Sequence, residues 1–194
     1  YLKGWIFGMM VVTYLSGCTH PIKLDQAQPE GDRVLLMSGH SIELVGLDKL
    51  ILEAKPNGFA CSAHAFEADG REFLVNEMKA KILKALKKAK VVGDIRVSIG
   101  RARSEIRYVA GGAGLLNRWD AGSGVEITMT ISKLGYDQIQ VAAYGRGNFS
   151  KKPVVFCEGG SEAISSSLAR SISASIDQIA QKMSTIEQHA SPPS

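Results

Sequence analysis

Three cysteines, four histidines, twenty glycines and a serine-rich end are what this chain of 194 residues offers for chemistry. Cys61 and Cys157 form a candidate disulfide closing a loop of nearly a hundred residues, worth about 4 kcal/mol in the chain-entropy view. The other reading is two unpaired buried thiols, which behave as small hydrophobes. Cys61-Ser62-Ala63-His64 offers two metal ligands where a site needs three or four, and His20, His40 and His189 fall in segments expected to be flexible. No metal is expected. A Cys-His nucleophile pair there lacks an orienting third group and competes with disulfide formation. Gly111-Gly112-Ala113-Gly114 has the glycine density of a phosphate loop, but no Gly-Lys-Ser/Thr follows and the dinucleotide spacing is missing. It reads as a tight connector, and Gly111, Gly112 and Gly114 with the neighbouring Trp119 make a candidate partner-binding loop. Trp119 and Tyr108 are either exposed anchors for a partner or packing residues. Gly122-Ser123-Gly124 is no nucleophile elbow, and the serines of the last segment lack one too. The chain is therefore expected not to be an enzyme.

Cys18 carries a different chemistry. Lys3 is followed by an uncharged run, Gly4 to Gly17, whose apolar part spans Trp5 to Leu15 and ends Leu15-Ser16-Gly17-Cys18. A basic start, a short apolar stretch and small residues at a cut site define a secretory signal. Eleven or so apolar residues fall short of the roughly 20 that span a bilayer. The run resembles the lipobox of bacterial lipoprotein signal peptides. That resemblance implies cleavage between Gly17 and Cys18, followed by diacylglycerol and N-acyl lipid on Cys18 as the chain's only covalent group, with no other cofactor. One acyl chain binds membranes only marginally, so the three chains of a mature lipoprotein imply stable anchoring. Thr19 after the cysteine, rather than Asp, implies the outer membrane in the sorting rule of enteric-type bacteria. A few more residues with positive charge are expected upstream of Tyr1.

Composition narrows the partners. The formal net charge is +4, and +3 once Lys3 is removed with the signal. That is mildly basic, without the clustered Arg/Lys and interleaved aromatics of a nucleic-acid binder, so no nucleic-acid partner is expected.

The elements follow from periodicity. Residues 1–17 are read as signal, 18–40 as lipidated Cys and tether, 41–186 as a periplasmic domain and 187–194 as a disordered tail. Val34–Met37 reads as a short edge strand at the tether's end. Leu47–Ala54, closed by Lys55-Pro56-Asn57-Gly58, reads as a strand. Glu72–Ala89 carries Val75, Met78, Ile82, Leu86 and Ala89 at helical spacing, with lysines over the rest. Those lysines read as a solvated face, the rival being a helix lying on anionic lipid. Ile95, Val97 and Ile99 alternate with polar residues, and the strand continues, exposed or at a rim, through Arg101–Val109. Val125–Ser132 and Ile139–Ala143, joined by Leu134-Gly135-Tyr136-Asp137, read as a hairpin. From Ser161, the row Ile164, Leu168, Ile172, Ile176, Ile179 and Met183 makes a second amphipathic helix, with the serines mostly off it. The expected fold is α+β: a two-layer sandwich of a mainly antiparallel four-stranded sheet with two helices on one face, in the order β-α-β-β-β-α.

That order, the Leu15–Cys18 motif, the Ile95–Ile99 strand leading to a glycine-rich stretch and the hairpin before a Ser-rich terminal helix together resemble small bacterial outer-membrane lipoproteins of unknown function. Their domain is similar to the N-terminal domain of TolB and to the periplasmic domain of the curli secretion lipoprotein CsgG. The likeness spans about residues 45–185 and rests on pattern, without a diagnostic motif. It implies a protein-interaction or envelope-assembly role, with the bilayer and an envelope protein as partners, and no catalytic residues. A periplasmic small-ligand binder is the alternative expectation.

Overall fold

The alternation through Ile95, Val97 and Ile99 makes a strand, and that strand is the spine of the molecule. The computed structural model describes residues 33–37, 40–57, 61, 63–88, 93–111, 117–132, 138–151 and 157–189. The expected signal segment, Cys18, the tether before Arg33, Gly112 and Gly114, and the Leu134–Asp137 turn lie outside them. In chain order the strands are β1 (Arg33–Met37), β2 (His40–Val45), β3 (Ile51–Ala54), β4 (Pro56–Asn57), β5 (Phe66–Asp69), β6 (Asp94–Val109), β7 (Arg118–Ser132) and β8 (Ile139–Lys151). A first helix runs as α1 (Arg71–Glu77), a π-helical turn (Met78–Ile82) and α2 (Leu83–Lys88), and α3 (Gly160–His189) is the second.

The sheet is not the four-stranded antiparallel one expected. Its main path is β1-β2-β6-β7-β8, and β4 also pairs with β6. It is mixed: β2 and β4 run parallel to β6, and the other pairs are antiparallel. β3 and β5 form a separate two-stranded ribbon. Two causes explain the difference. A strand not expected from sequence forms over His40–Val45, because Ile42 and Leu44 alternate into the core. The expected Leu47–Ala54 strand is broken: Gly46, at φ +76°, turns the chain into a 3-10 turn over Leu47–Leu50, and only Ile51–Ala54 is extended. Glycine adopts that left-handed conformation without steric cost.

β2 and β4 occupy one edge of β6 end to end, along Ile95–Ser98 and Ile106–Arg107, while β7 takes the other edge. In the gap between them the Lys49 ammonium donates to the Ile99 carbonyl at 2.9 Å. At that level the β6–β7 register shifts between Ile99 and Ala102, so Gly100 and Arg101 form a bulge. A bulge inserts one residue and reverses which parity faces the core. Ile95, Val97 and Ile99 face inward before it; Ile106 faces inward after it, while Arg101, Arg103, Glu105 and Arg107 are exposed.

The helices pack on the inner face. Leu74, Val75, Met78, Ile82 and Leu86 are buried from the first, and Ile164, Leu168, Ile172, Ile176, Ile179 and Met183 from α3. Lys81 joins the two: its ammonium lies 2.7 Å from Glu77 and 2.7 Å from Asp177. It also donates to the Ser173 hydroxyl at 2.8 Å. Burial works to lower its pKa, but the hydrogen bonds and charges of Asp177 and Glu77 outweigh that and raise it.

Serines of α3, expected to lie mostly off the apolar stripe, form a second buried row. Ser167, Ser171 and Ser175 are fully buried. They recur every four residues and so share one helix face. Ser167 donates to the Gly147 carbonyl at 3.0 Å and accepts from the Ser123 hydroxyl at 2.7 Å; Ser175 donates to the Val125 carbonyl at 2.8 Å. Opposite them β8 carries Gly145 and Gly147, and a Cβ on Gly145 would lie 1.9 Å from the Ser171 carbonyl oxygen. Interior strand glycine of this kind marks a close backbone approach.

α3 also covers the free edge of β8. Arg170, Gln178 and Lys182 donate to the carbonyls of Asn148, Tyr144 and Ala142. Four residues of helix advance about 6 Å and two of strand about 6.6 Å, so the rows stay matched. At the intermediate place Ala174 stands where a donor would reach Arg146. Such capping blunts an edge that would otherwise template another strand.

Candidate functional site

The outer sheet face holds the candidate site. Register aligns three rows across β6, β7 and β8: Arg103, Gly124 and Arg146; Glu105, Gly122 and Asn148; Arg107, Asp120 and Ser150. The central strand contributes glycine to two of these rows, and side chains from the flanking strands lean over it: Tyr144 over Gly124, Glu105 and Asn148 over Gly122. The result is an open trough of about 670 Å³ at the Asp120 end, continuous through Glu105, Gly122 and Asn148 with a smaller one of about 390 Å³ at the Tyr144 end.

Four arginines line it, Arg103, Arg107, Arg118 and Arg146, against two carboxylates, Glu105 and Asp120. Arg118 is committed to Asp120 at 3.0 Å, and the Ser150 hydroxyl donates to the same carboxylate at 2.7 Å. Arg103, Arg107 and Arg146 have no ion pair among the described residues. The Arg146 guanidinium lies 5.6 Å from the Tyr144 ring centre. The Tyr144 hydroxyl reaches over Gly124, 2.0 Å from where a Cβ would stand, so it sits between the Arg103 and Arg146 strands. Two guanidiniums flanking a phenol suit an anionic oxygen, because guanidinium offers paired donors in carboxylate geometry.

The residues singled out from sequence lie elsewhere. Cys61 and Cys157 are joined in a disulfide, with Cα atoms 5.6 Å apart. It ties the segment before β5 to the turn before α3. Trp119 is not a partner anchor: it is fully buried, its indole N–H donates to the Glu158 carbonyl at 2.6 Å, and it packs edge-on against Phe66 and Tyr108 at 5.1 and 5.0 Å. Its β7 parity places it inward with Ala121 and Ser123. The Gly111 N–H donates to the Asn117 side-chain oxygen at 2.8 Å. Ser123 is buried beneath α3. Among the described residues no group of three or more His, Cys, Asp or Glu could hold a metal, and no helix is long and apolar enough to cross a membrane.

The trough residues Arg103, Arg107, Arg146, Tyr144, Gly122 and Gly124 were not recognised from sequence. One signal was available. The inward apolar positions are odd-numbered through Ile99 and even-numbered at Ile106. A parity change across Gly100 means a bulge, and it places the arginines outside. The fold and trough define a mixed α/β domain with an open, polar, cationic sheet face. No protein-family model matches this chain, and no curated protein matches it either.

Proposed function

We propose that this chain is a lipid-anchored envelope protein whose folded domain binds another protein, as an assembly or accessory factor, and does not catalyse a reaction. The observation that carries the binding role is the open trough between Arg103, Arg107 and Arg146. Small-molecule sites enclose most of their ligand, and an open trough on a sheet face encloses little. A non-catalytic role is supported by the state of the nucleophile candidates: both described cysteines are bonded to each other, and Ser123, Ser167, Ser171 and Ser175 are buried in packing. The anchoring role rests on Leu15-Ser16-Gly17-Cys18, and a disulfide fits an oxidising compartment outside the cytoplasm. The bilayer and an envelope protein are then its partners, on the periplasmic face of the outer membrane.

Two measurements test this. Cys18→Ala is expected to abolish palmitate labelling and to release the protein from the membrane fraction; unchanged membrane association sinks the anchor. A photocrosslinker at position 148 in intact envelopes is expected to capture one discrete protein, whereas the same group at Gln181, on the exposed side of α3, captures none. Equal capture from both sites removes the trough from the binding role.

A further inference from the structure

We infer that the trough holds an extended acidic segment of a partner protein, with carboxylates four residues apart. This rests on the protein-binding reading above and names the partner's chemistry. Three observations carry it. The first is shape. The floor runs along β7 from Arg118 to Gly124, about 20 Å, and the β6 and β8 walls stand about 10 Å apart at ordinary strand spacing. Those are the length and width of a single extended chain of six or seven residues. The floor at Gly124 is the Tyr144 phenol and at Gly122 the ends of Glu105 and Asn148, so a ligand lies on these side chains between the strand walls.

The second is charge. The uncommitted cations are grouped at two levels, Arg103 with Arg146 at one, and Arg107 at the other. Four residues of strand separate Arg103 from Arg107, about 13 Å. An extended ligand advances at the same rate, so carboxylates at positions 1 and 5 meet both levels and point to the same side. The third is the middle row, Glu105 with Asn148. Glu105 has no ion pair among the described residues and disfavours a carboxylate at position 3. Like charges in proximity suppress wrong ligands, so Glu105 sets spacing while the arginines set sign.

The test uses the purified full chain in detergent and fluorescein-labelled peptides read by anisotropy. The probe is Glu-Thr-Val-Thr-Glu-Thr; its comparators are Glu-Thr-Glu-Thr-Val-Thr and the first peptide with both glutamates replaced by glutamine. The first peptide is expected to bind at least fivefold more tightly than either comparator. Arg103→Gln with Arg146→Gln is expected to weaken it roughly tenfold, because two exposed, hydrogen-bonded charge contacts are lost together. Gly122→Val keeps every arginine but fills the floor, and is expected to abolish binding with the thermal midpoint within a few degrees of the parent. Arg96→Gln, an arginine committed to Glu43 at 3.4 Å, is expected to change nothing. Equal affinity for the two glutamate peptides, or undiminished binding by Gly122→Val, overturns the extended register. Arginine-dependent binding of phosphatidylglycerol vesicles or of millimolar inorganic phosphate, with no peptide binding, overturns the acidic segment as ligand. If the peptides fail while the position-148 crosslink persists, this inference falls and the protein-binding reading stands.

Discussion

Replacing Gly145 or Gly147 by alanine tests the seam between β8 and α3. Alanine is intrinsically better than glycine in a strand by roughly 0.5–1 kcal/mol, so local preference alone makes both changes stabilising. The seam reverses that sign. A Cβ on Gly145 would stand 1.9 Å from the Ser171 carbonyl oxygen and 2.6 Å from the Ser175 nitrogen; on Gly147 it would stand 2.0 Å from the Ser167 carbonyl oxygen. An ordinary carbon–oxygen contact needs about 3.3 Å, so α3 must withdraw by about 1.4 Å. Both partners are backbone, and neither swings aside as a side chain does. Overpacking of this kind costs about 1–3 kcal/mol. Withdrawal also stretches the bonds from Ser167 to the Gly147 carbonyl and from Ser175 to the Val125 carbonyl, at about 1 kcal/mol each. The expected loss is about 3–5 kcal/mol per substitution, or on the order of 10 °C in Tm for a domain of this size. Urea unfolding of each variant gives the midpoint and slope. Gly122→Ala is the control, because its nearest neighbour, at 3.0 Å, is the movable end of Glu105. Ser175→Gly in the Gly145→Ala background is expected to restore little, since the Ser171 carbonyl remains. A neutral or stabilising Gly145→Ala with an unchanged slope refutes the close approach.

Four further outcomes follow from the same geometry. Reducing the Cys61–Cys157 disulfide, which spans a sequence separation of 96, is expected to cost about 4–5 kcal/mol, seen as a lower urea midpoint in dithiothreitol; an unchanged midpoint with thiols titrating freely counts against it. Burial works to raise the Asp69 pKa, but the hydrogen bonds and charge of Arg71 outweigh that and hold it below its ordinary 3.8. Asp69 therefore stabilises the fold above pH 3.8, and the stability gap between the parent and Asp69→Asn should close as pH falls through the folded pKa; a gap that persists to pH 2 excludes the ion pair as its cause. Lys81, raised above its ordinary 10.5, contributes fully below that pH and loses its contribution as pH rises past its folded value, so Lys81→Met should differ from the parent less at pH 12 than at pH 8. Replacing Arg170, Gln178 and Lys182 together by alanine uncaps β8, and sedimentation should show more self-association than the parent at equal concentration.

Much of the architecture was legible where one face of an element is apolar. The Val75–Leu86 row and the Ile164–Met183 row specify helices because period 3.6 puts those residues on one side. Ile95–Ile99, Val125–Ile131 and Ile139–Val141 specify strands because period 2 does the same. What failed is equally specific. No strand is expected over His40–Val45, although Ile42 and Leu44 alternate, because two apolar residues make a weak signal beside a Pro- and Gly-containing stretch. The alternation of β8 reads as ending at Ala143, because Gly145 and Gly147 look like a turn. They are strand glycines made necessary by a helix backbone lying on them, a cause outside their own segment. Sequence neighbours leave Trp119 open as a partner anchor or a packing residue, and its parity on β7 makes it the second.

The sequence by itself determines local order: which segments are helix or strand, which side of each is apolar, and the chemical potential of Cys18 and of Cys61 with Cys157. These are properties of residue type and spacing, and periodicity reports them without knowledge of partners. Which strands pair, and in what direction, depends on where the chain returns after each connection, so the parallel β2–β6 and β4–β6 pairs were decided only in three dimensions. The trough was decided there too. Arg103 and Arg107 come from β6, Gly122 and Gly124 from β7, and Tyr144 and Arg146 from β8, and one bulge at Gly100 and Arg101 sets whether those arginines line an open face or meet a helix. A binding surface made across three strands has no period within any one of them, because its spacing is the distance between chains.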